Sequence, residues 1–242
     1  MRAGTLLEQR VGAPMPIGQL LSLASGLAGE LAELHGRGVI HEDLKPAGIL
    51  FNDATGKIAL ASSESGASGL PRLLAGSLPY MSPEQTGKMN RPIDSRSDLY
   101  SLGVVLYQLL AGRLPFEAED AVGWMHCHLA RQPPPLDQVR PSLPRPLADI
   151  VGKLLAKLPD HRYQSALGLR HDLERCLREW SEHGAIAAFP LGELTGESDR
   201  ERQGLTDRHR CTDPLLEQRS GAHLSRPPAR RSPRSGHSPP QV

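Results

Sequence analysis

Apolar residues recur three and four positions apart from Ile17 to His35, at Leu20, Leu21, Ala24, Leu27, Ala28, Leu31 and Leu34. That spacing marks one face of a helix, and Gly36-Arg37-Gly38 supplies its stop. Val39-Ile40 and Ile49-Leu50-Phe51 are short apolar runs flanking a polar loop. Asn52-Asp53-Ala54-Thr55-Gly56 reads as a turn into a weak strand at Lys57 to Ala61. Ser62 to Arg72 is Ser, Gly and Ala with little periodicity, and is expected to be irregular. Beyond it the pattern is helical. Ser97 to Leu110 is apolar nearly all round, the signature of a helix buried on every side, and Gly112 ends it. Glu119 to Arg131 is amphipathic and stops at Pro133-Pro134-Pro135. Leu147 to Leu158 and Ser165 to Trp180 each carry a single apolar face. The expected class is α+β, mainly α-helical, with a few short strands.

Composition adds bounds. The 242 residues allow one domain with an extension, and a net charge of +1 gives no global field toward nucleic acid or membrane. Cys127, Cys176 and Cys211 show neither metal-ligand spacing nor an even disulfide set, which fits a reducing cytosol. The longest apolar segment, Leu102 to Ala111, is too short to span a bilayer. The expectation is a soluble, cytoplasmic protein that binds neither membrane nor nucleic acid. Thr195 to Val242 mixes Arg, Ser, Pro, Asp and Glu with few apolar residues, so it cannot bury enough surface to offset its ordering entropy. The expected organisation is a leading partial helix or linker at 1–16, a folded lobe at 17–193 and a disordered tail at 194–242.

Chemistry concentrates in His41-Glu42-Asp43-Leu44-Lys45-Pro46-Ala47-Gly48-Ile49-Leu50. Alone, Asp43 and Lys45 read as a solvated charged turn. The string resembles the catalytic loop of serine/threonine protein kinases, H-R-D-x-K-P-x-N between apolar segments. Three further stretches follow in the kinase order. Gly76 to Glu84 resembles the end of an activation segment, with Ser82-Pro83-Glu84 in the A-P-E position. Asp98-Leu99-Tyr100-Ser101-Leu102-Gly103 resembles the start of the central helix. Arg162 falls where kinases keep the arginine that pairs with the A-P-E glutamate.

The resemblance implies the large C-terminal lobe of a kinase. Asp43 would accept the hydroxyl proton, Lys45 would neutralise the transferring phosphoryl group, and Ser77 would touch both. His41 would pack the loop, Asp98 would hold its backbone N–H groups, and Glu84 would pair with Arg162. ATP and Mg²⁺ would be the cofactors, and a protein substrate or signalling partner the target. Met81 to Arg96, His126-Cys127-His128 and Phe189-Pro190-Leu191-Gly192 resemble, more narrowly, the kinase-like domain at the front of hybrid sensor histidine kinases. The likeness runs from about Leu7 to Glu193.

Departures from the pattern imply impaired catalysis. The smaller lobe, with its Gly-rich loop and Lys–Glu pair, is missing, as in a truncated or frame-shifted gene. Gly48 stands where the Mg²⁺-binding asparagine belongs, and Asn52 falls beyond the loop. The D-F-G position, near Ser62-Ser63-Glu64, has no Asp. A pseudokinase or protein-interaction module, and a remnant without activity, are therefore alternatives to a working kinase. His126, Cys127 and His128 do not read as a metal site, because consecutive helical residues point about 100° apart. They read as a helix surface with a partly buried cysteine. Trp124 and Trp180 read as packing anchors. The tail's Arg226, Arg230, Arg231 and Arg234 read as solvated.

Overall fold

A computed structural model of the chain describes residues 4–52, 55–61 and 77–193. Six helices surround one core: α1 (Ile17–Gly36), α2 (Ser95–Ala111), α3 (Ala121–Ala130), α4 (Leu136–Val139), α5 (Arg145–Leu154) and α6 (Ala166–His183). Three short strands, β1 (Thr5–Leu6), β2 (Ile49–Phe51) and β3 (Ile58–Leu60), form an antiparallel sheet in that order. Leu6 pairs with Leu50, and Leu50 with Ala59. The leading segment, expected as partial helix or linker, instead supplies strand β1 and a 3-10 turn at Leu7–Arg10. No strand forms at Val39-Ile40.

Helix α2 is the axis of the lobe. Its residues Ser97 through Leu110 are all buried, so its largely apolar sequence meets protein on every side. Asp94 caps its first turn by accepting from the Arg96 N–H at 2.8 Å, and Gly112 ends it in the left-handed conformation at φ 73°. Gly103 lets α5 approach, since a Cβ there would lie 2.7 Å from the Leu154 Cβ. Helices α1 and α6 run antiparallel, with Gly18 against Trp180 and Gly29 against Arg170. Gly26 faces Ile58 of β3, which fastens the sheet onto α1. These contacts set the chain between α1 and β2, residues 37–48, directly over the N-terminal end of α2.

The fold does not stop at α6. Residues 185–192 turn back over α5 and α6: Lys153 Nζ donates to the Leu191 carbonyl at 3.2 Å, and the Gly192 N–H donates to Asp172 Oδ2 at 2.8 Å. Arg175 lies 4.2 Å from the centroid of the Phe189 ring. Cys127 and Cys176 are buried free thiols, and burial pushes Cys176 up to about 12, leaving it inert. Cys211 and the tail lie outside the described residues. Among the described residues, no helix is long and apolar enough to cross a membrane.

Candidate active site

Asp98, in the first turn of α2, is 1% exposed, and a carboxylate so buried needs partners. It has three. Oδ1 accepts from the Glu42 N–H at 2.8 Å, and Oδ2 accepts from the His41 N–H and from His35 Nε2, each at 2.8 Å. The loop 41–48 is therefore pinned through its backbone to the central helix, and through His35 to the end of α1. Between Asp98 and the next strand the chain must bend sharply. Glu42 takes up the bend at φ 65°, a left-handed conformation that costs a non-glycine residue energy and persists only when its surroundings hold it. Its N–H is held by Asp98, and its carbonyl accepts from Gln85 Nε2 at 2.6 Å.

That bend presents Asp43 and Lys45 to the same side. Lys45 Nζ donates to Asp43 Oδ2 at 2.6 Å and to Ser77 Oγ at 2.8 Å. Their side chains are 34% and 20% exposed, so a carboxylate, a cation and a hydroxyl meet at a surface open to a ligand. His41 is buried beneath them. Its Nε2 donates to the Ala61 carbonyl at 3.0 Å, and its Nδ1 faces the Asp43 N–H at 3.4 Å. The loop is thereby tied to the residue after β3. Gly48 offers only backbone there, its carbonyl accepting from the Ala61 N–H at 2.8 Å.

Facing the loop is the segment 77–86. Ser82 and Gln85 form a capping box, with Gln85 Oε1 accepting from the Ser82 N–H at 2.8 Å. Glu84, 3% exposed, takes two parallel bonds from Arg162, Nη1 to Oε1 at 2.7 Å and Nη2 to Oε2 at 2.9 Å, and a third from Ser97. Burial alone would raise its carboxyl, but the Arg162 guanidinium and the Ser97 hydroxyl hold it below the ordinary carboxylate range. Arg162 spends its other N–H groups on the carbonyls of Ala156, Lys157 and Arg96. Tyr80 OH donates to Gln108 of α2 at 2.8 Å.

All seven residues singled out in the sequence thus lie in one neighbourhood. Asp43, Lys45 and Ser77 form the surface, while His41, Asp98, Glu84 and Arg162 lie buried beneath and beside it. Ser62-Ser63-Glu64 lies outside the described residues. Asn52 sits past β2, its Oδ1 accepting from the Thr55 N–H at 3.2 Å, and is not at the Gly48 position. The reading of 126–128 as a helix surface needs correction. Only His126 is exposed; Cys127 is buried and His128 is 0% exposed. His35, Gln85 and His128 were missed. The S-x-x-Q spacing of Ser82 and Gln85 was the one local signal available.

Mg²⁺ needs oxygen donors, and the catalytic-loop position that would supply one is Gly48, which has no side-chain oxygen. Among the described residues no three His, Cys, Asp or Glu side chains are grouped to hold a metal. Among the described residues, the catalytic-loop side chain that would reach the ion is absent.

The sequence matches the protein kinase domain family over residues 5–173. It is 35% identical over 202 residues to the serine/threonine-protein kinase Pkn1 of Myxococcus xanthus, covering 78% of this chain and 28% of that protein. It is 35% identical over 168 residues to the serine/threonine-protein kinase PknB of Mycobacterium leprae, covering 67% of this chain and 27% of the relative. Hybrid signal transduction histidine kinase G of Dictyostelium discoideum is 53% identical over 95 residues, 39% of this chain and 3% of that protein. The chain thus spans less than a third of the length of each. Match, fold and loop geometry agree: this chain belongs to the protein kinase family.

Proposed function

We propose that this lobe docks a Ser- or Thr-bearing protein segment against residues 77–84, as a serine/threonine kinase does, and is impaired in ATP-dependent phosphoryl transfer. It then acts chiefly as a pseudokinase-type binding module in signalling. One observation carries the reading: the Asp43–Lys45–Ser77 cluster is assembled at hydrogen-bond distances, while Gly48 beside it has no side-chain oxygen for Mg²⁺. A protein hydroxyl placed in that cluster would find a carboxylate to accept its proton, held in position by Lys45. Phosphoryl transfer depends almost wholly on positioning and charge stabilisation, and one lost electrostatic group costs on the order of a hundred- to a thousand-fold.

The test uses casein as the hydroxyl-bearing probe. Labelled γ-phosphate is expected to reach casein at a rate roughly a hundred-fold or more below that of the Pkn1 relative under the same conditions. Casein should still bind, and Lys45→Met should weaken that binding. Transfer at a rate comparable to Pkn1 would contradict the impairment; no casein binding at all would contradict the docking role.

A further inference from the structure

His128 is enclosed on three sides by rings. Tyr100 and Phe116 meet it edge-on at centroid distances of 5.7 and 5.5 Å, and Trp124 stacks on it at 6.0 Å and 23°. Both ring nitrogens have partners. Nε2 is 3.0 Å from the Leu78 carbonyl, and Nδ1 is 3.0 Å from the Tyr100 hydroxyl. A carbonyl only accepts, so Nε2 carries the proton, and Nδ1 accepts from Tyr100 OH. The ring is fixed in place and in tautomer. The Leu78 carbonyl has one other partner, the Met81 N–H at 3.4 Å, a long contact.

From this we infer that His128 is a positioning residue of the docking segment, fixing the Leu78 carbonyl and, through it, the adjoining Ser77 hydroxyl on Lys45. This rests on the docking role given above to residues 77–84. Ser77 and Leu78 share a peptide bond, so a shift of about 1 Å at Leu78 is enough to lose the Ser77–Lys45 contact, and misplacement of that size is costly for an oriented site. Helix α3 thereby becomes part of the docking apparatus, although none of its residues lies at the Asp43–Lys45–Ser77 surface. Burial also pushes His128 down to about 4, so the neutral ring persists through the physiological range.

Amide hydrogen exchange tests this without nucleotide or substrate, so its result stands apart from any transfer assay. In His128→Phe, which keeps a ring but removes the donor, peptides spanning 77–87 should exchange about tenfold faster, while peptides from α1 and α6 stay at the natural rate. His128→Gln, whose amide can reach the same carbonyl, should restore most of the protection. Should His128→Phe not fold, Tyr100→Phe keeps every ring and frees only the tautomer; a several-fold rise confined to 77–87 is then expected. Unchanged exchange at 77–87, or a uniform rise across all peptides, overturns the inference.

Discussion

Glu84 and Arg162 are 3% and 2% exposed, and neither can lose the other without leaving a buried charge unpaired. Glu84→Ala is expected to cost about 3–5 kcal/mol in chemical denaturation; a loss under about 1 kcal/mol would show that Arg162 finds new partners. Gly48 behaves oppositely. A Cβ there meets only the Ala61 Cβ at 3.9 Å, and its φ is not in the left-handed region, so Gly48→Asn should change stability by less than about 1 kcal/mol. His128 gives the lobe an acid limit. Burial lowers it from 6.5 to about 4, so between those values the unfolded chain binds a proton that the folded chain refuses. Stability should therefore be intact above pH 6.5 and fall toward pH 4, by roughly 3 kcal/mol on the order of 1.4 kcal/mol per unit. Denaturation curves at a series of pH values check this, and His128→Gln should flatten the slope. Asp43, Lys45, Asp98 and Arg162 were legible because residue type and order together mark them. His35, Gln85 and His128 were not, because no catalytic motif marks them and their partners, 63, 43 and 50 residues away, are met only in the folded chain.

Among the elements, the long helices were readable because each shows three or more turns of one pattern, apolar on one face for α1 and α6 and all round for α2. The helix ends differ from the expected ones by up to four residues, the largest at α5, which stops at Leu154 rather than Leu158; Asp94 before α2, Asp120 before α3 and Ser165 before α6 fix three of the starts by accepting N–H groups in the first turns. Strand β1 was not readable, since two residues carry no period, and α4 is a single turn. The close helix contacts were equally silent, because a glycine within a helix does not say what it faces. Two of them separate by measurement. At Gly103 a new Cβ meets the Leu154 Cβ at 2.7 Å and the Leu154 backbone carbonyl carbon at 3.4 Å, so Gly103→Ala should cost about 1–3 kcal/mol by overpacking α2 on α5. At Gly26 the new Cβ lies 2.5 Å from Ile58 Cδ1, the far end of a side chain that can rotate away. Helix propensity there favours alanine by about 1 kcal/mol, so Gly26→Ala should be near neutral. Equal losses in thermal denaturation would contradict the packing described.

Across the whole molecule, one buried carboxylate on the central helix holds the loop from below, and a second buried ion pair holds the segment opposite. The ordered chain extends past the family match, which ends at residue 173, through the strap at 185–192. Tyr163 OH and the Gly192 N–H both donate to Asp172 Oδ2, so the strap shares its anchor with the core. The architecture is that of a kinase lobe in which Asp43, Lys45 and Ser77 meet at hydrogen-bond distances and Gly48 contributes no side chain beside them. Thermal denaturation with and without millimolar Mg-ATP tests that combination most directly, because a ligand bound only by the folded state must raise Tm by mass action. No rise is expected for the natural chain, in which Gly48 gives the ion no side-chain oxygen. A clear rise in the natural chain would show that a metal-nucleotide site exists despite Gly48, and would contradict that expectation.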